Sequence, residues 1–123
     1  MNHALDNKSF VIVGGTTGLG LAAAKAFVSQ GARVVVVGRN AESLAKAQSA
    51  LGQAACGLAG DATDPQTTVE AINLAKRELG GFNGLYHVAG GSGRSMGDGP
   101  LHEIGDDGWR QTIDLNLTSV FNS

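Results

Sequence analysis

The chain has 123 residues, 42% of them hydrophobic, which is about one domain's length and enough to bury roughly two thirds of the unfolded surface. Nine basic against eleven acidic side chains give a net charge of -2 with no long basic run, so neither a nucleic acid nor an anionic membrane surface is favoured as a partner. Met1 to Lys8 lacks the basic start and apolar core of a signal peptide, no apolar run approaches the ~20 residues of a membrane span, and a single cysteine, Cys56, excludes an internal disulfide; a cytoplasmic chain is expected.

Strand and helix signals alternate without repeat or linker, which argues for βαβ units and a parallel sheet. A β-branched apolar run over about 9–13 predicts the first strand. It breaks into glycine and then into an alanine-rich helix over about 18–30, with Leu19, Ala23, Ala26 and Phe27 expected on its inner face and Gly31 placed to end it. The second strand, about 33–37, is continuously apolar, as strands covered on both faces are. Asn40 is suited to cap a helix over 41–51, and a third strand is expected over about 54–59, with Cys56 a small buried residue on or beside it. Asp64 and Pro65 start the next helix as N-cap and first helical residue, with Val69, Ile72, Ala75 and Leu79 facing inward and Gly80-Gly81 stopping it. A fourth strand over 84–88 leads into a glycine-rich loop, 89–101. Asp106 or Asp107 then opens a last helix whose inner face is expected to carry Trp109, Ile113, Leu117 and Val120. The resulting fold class is α/β: a Rossmann-type, doubly wound parallel sheet of about four strands with flanking helices, incomplete, occupying residues 1–123 as one nucleotide-binding portion.

The stretch from Phe10 to Gly20 reads as a dinucleotide phosphate cradle. Glycine lets a strand turn sharply into a helix, lets the backbone approach a pyrophosphate, and lets the helix pack closely on the sheet. The helix that follows offers unpaired N–H groups and the positive end of its dipole. A P-loop is excluded, because Gly15 and Gly20 have the right spacing but Leu21 and Ala22 follow where Lys and a hydroxyl are required. The pattern is Gly14-x3-Gly18-x-Gly20.

That spacing resembles the TGxxxGxG cofactor loop of the short-chain dehydrogenase/reductase family, and the resemblance runs over essentially the whole chain. Asp61 stands where the family places an aspartate after the third strand, whose carboxylate meets the adenine. His87-Val88-Ala89-Gly90 occupies the place of the family's NNAG motif, with Gly90 beside the cofactor ribose. Gly99-Pro100-Leu101, Trp109 and Asp114-Leu115-Asn116-Leu117 resemble the segment leading into the family's central helix, and Asn116 matches an asparagine credited with holding a water in the proton relay. The resemblance implies an NAD(P)-dependent oxidoreductase that interconverts alcohol and carbonyl by hydride transfer. It also implies cofactor contacts from Gly14, Thr16, Thr17, Gly18, Leu19, Gly20, Arg39, Asp61, Ala62, Ala89, Gly90 and Gly91, and a catalytic role for Asn116; no metal site is expected.

Two positions depart from the family pattern: Val13 replaces a threonine, and His87-Val88 replaces the paired asparagines. In the family these polar groups brace the first strand against the fourth. Replacing both ends of a buried hydrogen bond is nearly neutral, whereas removing one strands a polar group at about 1–3 kcal/mol, so the changes are expected to compensate. His87 is then expected as a packed or cofactor-contacting neutral imidazole. At the end of the second strand stands Arg39, where an enzyme using NAD commonly carries an acid. An arginine offers charge-assisted contacts to a 2′-phosphate, so NADP is favoured over NAD.

The family's serine and Tyr-x3-Lys have no counterpart. Tyr86, the only tyrosine, lies within the fourth strand and is followed four residues later by Gly90. A carbonyl receiving hydride needs an acid for its developing alkoxide, and this chain offers none, so it is expected to carry the cofactor-binding half of a dehydrogenase. The alternatives left open are a stand-alone nucleotide-binding module and a non-binding assembly piece. An exposed fourth-strand edge and an apolar last helix predict homo-oligomerisation or association with a missing half.

Overall fold

The computed structural model describes residues 3–97 and 99–123; expectations touching Met1, Asn2 and Asp98 lie outside the described residues. Four parallel strands form one sheet in the order β3-β2-β1-β4: β1 (Ser9–Val13), β2 (Arg33–Gly38), β3 (Ala55–Ala59) and β4 (Gly84–His87). The chain winds outward from β1 through β2 to β3 and then crosses back to place β4 on the other side of β1. This reversal is the topological switch of doubly wound folds, where ligands bind at the carboxyl ends of the strands.

Side-chain alternation along the strands supplies two cores. Val11, Val13, Val35 and Val37 face α3 (Pro65–Leu74) and the π-helical turn that prolongs it (Ala75–Leu79), where Ala71, Ala75 and Leu79 are buried. Ile12, Val34 and Val36 face α1 (Gly18–Ser29) and α2 (Ala41–Leu51) through Ala24 and Leu51, with the Phe10 and Phe27 rings in tilted contact at a centroid distance of 5.0 Å. Asn40 caps α2 by accepting the Ser43 amide, and Asp64 caps α3 by accepting that of Gln66, as their positions predict. Gly80 ends the π turn in the left-handed region.

Beyond β4, short 3₁₀ turns at Arg94–Met96 and Leu101–Glu103 lead to α4 (Asp106–Ile113), which passes through a π-helical turn (Asp114–Thr118) into α5 (Ser119–Asn122). Among the described residues no helix is long and apolar enough to cross a membrane.

Three inner faces differ from expectation. In α1 it is Gly20 and Ala24 that are buried, while Leu19 and Ala26 are exposed, because the helix sits on the sheet through its small residues and Gly20 lies directly against the Gly14 carbonyl. In α3, Thr68 and Ala71 are buried and Val69 is half-exposed. The last helix departs from the prediction at three of four positions: Trp109, Leu117 and Val120 are exposed with Phe121, whereas Ile113 is partly buried as expected, alongside Gly108, Leu115 and Ser119. Ser119 turns inward because its hydroxyl meets His87 at the end of β4, and Asn116, itself exposed, pairs with Gly91 of the loop that follows.

Candidate dinucleotide-binding site

A cavity of about 500 Å³ opens at the carboxyl ends of all four strands. Its floor begins with Gly14, whose amide, like that of Gly15, donates to the Val37 carbonyl and so ties the turn after β1 to the end of β2. Gly14 has φ +87°, and a Cβ there would lie 2.6 Å from the Ala89 amide nitrogen. A Cβ on Gly20 would run into the Gly14 carbonyl. Gly14 is therefore required by conformation as well as by close backbone approach, and Gly20 by close approach alone. Thr17 caps α1 without a side-chain hydrogen bond, which leaves first-turn N–H groups of a 12-residue helix without intrahelical acceptors beside the cavity.

Of the residues expected to bind a cofactor, Gly14, Thr16, Thr17, Gly18, Leu19, Arg39, Asp61, Ala62, Ala89 and Gly90 line this cavity. Gly20 lies beneath its floor, and Gly91 lines a second cavity of similar volume that shares Arg39, Asp61, Gly90 and Leu115 with the first. Thr16 is largely buried and packs over Gly38, where a Cβ would come within 2.5 Å of its hydroxyl. Leu19, 78% exposed, stands at the rim, and its outward turn accounts for its absence from the core.

Both charged residues of the site, Arg39 and Asp61, line the cavity. The Asp61 carboxylate accepts from the Thr63 amide at 2.9 Å and the Thr63 hydroxyl at 2.8 Å. These bonds, helped by the nearby Arg39 guanidinium and opposed by partial burial, hold its carboxyl below the usual aspartate range. It is thus an ionised acceptor at neutral pH, fixed in direction by its neighbour.

Asn116 lies in the π-helical turn and is spent on the loop after β4. Its Oδ1 accepts from the Gly91 amide at 3.0 Å, and its Nδ2 donates to the Gly91 carbonyl at 2.7 Å and to the Thr112 carbonyl at 2.9 Å. The side chain imitates a neighbouring strand for one residue. A Cβ on Gly90 would approach Asn116 Oδ1 to 2.7 Å, which explains why glycine precedes the paired position.

The brace between β1 and β4 takes a different form from the one the sequence predicts. Main-chain groups carry it, since the amides of Val88 and Ala89 both donate to the Val13 carbonyl, at 2.8 and 3.0 Å. His87 is neither apolar nor against the cavity: its Nε2 lies 2.9 Å from the Ala89 carbonyl and 3.3 Å from the Ser119 hydroxyl, and its Nδ1 lies 2.7 Å from the Ser123 hydroxyl. Sequence reasoning also passed over Gly38, Ser43, Gly60 and Leu115, all of which line the first cavity. The two glycines had a legible signal, since Gly38 closes one apolar strand and Gly60 directly follows another; Ser43 and Leu115 had none.

A family model described as short chain dehydrogenase matches residues 8–123. The chain is 32% identical over 114 residues to a serine 3-dehydrogenase of Agrobacterium fabrum, covering 93% of this chain and 45% of that protein. It is 33% identical over 110 residues to a probable NADP-dependent dehydrogenase of Haemophilus influenzae, covering 89% and 42%. Its fold superimposes with a TM-score of 0.85 on a short-chain type dehydrogenase/reductase from Mycobacterium ulcerans at 30% identity, over 96% of this chain and 44% of that one. The chain thus spans less than half the length of these relatives.

Proposed function

Because this chain belongs to the short chain dehydrogenase family, we propose that its cavity holds a nicotinamide dinucleotide, NADP in preference to NAD, for the interconversion of an alcohol and a carbonyl. The observation that carries the reading is the cradle itself. At Gly14, Gly20 and Gly90 a single Cβ would strike backbone or a fixed amide, and all three positions bound or underlie one cavity at the strand ends. Such a surface is shaped for a ligand that contacts main chain.

The chain's own groups divide the work of holding it. The first turn of α1 presents N–H groups and a positive dipole end to a pyrophosphate. Asp61, kept ionised by Thr63, accepts from an adenine amino group. Arg39, at the end of β2 where no acid stands, takes a 2′-phosphate by charge-assisted hydrogen bonds, which are roughly twice as strong as neutral ones. Ala89 and Gly90 lie along a ribose, and Asn116 keeps their loop in place through Gly91. The bound dinucleotide supplies the hydride acceptor or donor. Tyr86, 44% exposed and 6.3 Å from the Phe27 ring, is packed beside α1 and does not line the cavity, so it is not placed to donate a proton to the reacting oxygen.

The exposed stripe of Trp109, Leu117, Val120 and Phe121 serves as an assembly face. Calorimetric titration of wild type and Arg39→Ala with NADP⁺ and NAD⁺ tests the cofactor reading. NADP⁺ binds more tightly to wild type and loses about tenfold in the variant, the scale of one exposed charge-assisted contact, while NAD⁺ is unchanged. Tighter NAD⁺ binding, unaffected by the substitution, overturns the NADP preference.

A further inference from the structure

We propose that His87 is a positioning residue of this site: held in one tautomer behind the cavity wall, its imidazole fixes the turn that carries Ala89 and Gly90 into the cavity. The proposal rests on the dinucleotide reading for the ligand, and on the geometry alone for the role.

β4 ends irregularly. Two successive amides, Val88 and Ala89, donate to the one Val13 carbonyl, so the chain leaves the parallel ladder at Ala89. Among the described residues no backbone N–H donates to the Ala89 carbonyl. His87 supplies the missing donor at 2.9 Å, two residues back along the chain.

The partners decide which nitrogen carries the proton. A carbonyl oxygen only accepts, so Nε2 bears the hydrogen, and in the neutral ring Nδ1 is left with a lone pair. That lone pair receives the Ser123 hydroxyl at 2.7 Å. Ser119, completely buried, donates its hydroxyl proton to the Leu115 carbonyl, so it turns oxygen lone pairs toward Nε2–H at 3.3 Å and acts as a second acceptor. With Nδ1–H instead, Ala89 O and Nε2 would face each other as two acceptors.

The consequence reaches the cavity through close packing. The Ala89 amide lies so near Gly14 that no Cβ fits between them, so a displaced Ala89 carries the floor of the cradle with it. One turn before Ser119, Asn116 grips Gly91 on both its amide and its carbonyl. The loop is thus held from one helix at two points, and His87 transmits the second of them.

The test uses the full chain, ¹⁵N-labelled, as wild type, His87→Leu and His87→Gln. Long-range ¹⁵N correlation on wild type is expected to give the Nε2–H tautomer pattern for His87, and a dominant Nδ1–H pattern overturns the proposal. In His87→Leu, exchange of the Ala89 and Gly91 amides, which donate to Val13 and Asn116, accelerates about tenfold and NADP⁺ affinity falls about tenfold, as for the loss of one donor to a part-buried carbonyl. His87→Gln, which keeps a side-chain N–H, recovers most of both. Exchange within about twofold of wild type in His87→Leu, or a glutamine variant no better than leucine, also overturns it. If wild type itself binds no dinucleotide, the reading of the cavity fails, while the tautomer and exchange arms still decide the role of His87. If His87→Leu does not fold, the tautomer pattern and His87→Gln decide it.

Discussion

Replacing Gly20 by alanine sets two opposing effects against each other. In a helix interior the exchange stabilises by about 1 kcal/mol, because glycine has more backbone freedom to lose; in the first turn the gain is smaller. Against it stands a collision: the new Cβ would meet the Gly14 carbonyl oxygen, its carbon at 2.7 Å and the Gly15 Cα at 3.0 Å, all of them backbone atoms with no rotamer to escape into. Overpacking of this kind costs about 1–3 kcal/mol even where side chains give way. Here the turn itself has to shift, so the upper part of that range applies and the net loss is about 1–2 kcal/mol. Urea unfolding followed by far-ultraviolet circular dichroism measures it, with Gly81→Ala as control, since no atom lies within 4 Å of a Cβ there. The control is expected to be neutral or slightly stabilised. A Gly20→Ala midpoint equal to or above wild type would refute the claim that close contact with Gly14 is why glycine stands at that position.

Other outcomes follow from the same geometry. Asp61 has a folded-state pKa lowered by Thr63, so its contribution is present above the unfolded carboxylate range and is lost as pH falls through the folded value. Asp61→Asn keeps an acceptor for Thr63 but does not titrate; the stability of wild type relative to this variant is expected to stay level from pH 8 to about 5 and to shrink below about 4. A difference that widens on acidification would contradict that sign. Asn116→Ala loses three hydrogen bonds and gains helix propensity, for a net cost of about 1 kcal/mol at this exposed position. The Gly91 amide should exchange measurably faster in that variant, and unchanged exchange would show the pairing to be dispensable. Sedimentation velocity at tens of micromolar is expected to show self-association that Leu117→Glu with Phe121→Glu abolishes; a strictly monomeric wild type would remove the assembly face from the account.

The parts of the fold that rest on strong, one-valued signals are legible in the sequence. β1 and β2 are continuous β-branched runs because both faces are covered, and Asn40 and Asp64 are caps whose chemistry has few other uses. Helix orientation is less legible. α1 is alanine-rich on every side, so its apolar pattern does not single out the face on which Gly20 and Ala24 meet the sheet. In the last helix most of the larger apolar residues point outward, and its orientation goes with hydrogen bonds from Asn116 to Gly91 in the loop after β4 and between Ser119 and His87, which periodicity does not show. Gly14, Arg39 and Asp61 stand out because regularly spaced glycines and a charged side chain directly after an apolar strand answer to few physical demands besides close backbone approach and ligand charge. His87 is obscure for the opposite reason: its partners Ser119 and Ser123 lie 32 and 36 residues away, and no local pattern announces them.

The central claim is that the glycine-built cavity at the strand ends holds a nicotinamide dinucleotide. Isothermal titration of the chain with NADP⁺, in parallel with Gly14→Ala, tests it most directly. Saturable binding at one site per chain that Gly14→Ala abolishes is the expected result. No saturable heat from either NADP⁺ or NAD⁺ at millimolar concentration, with wild type folded by circular dichroism, would contradict it.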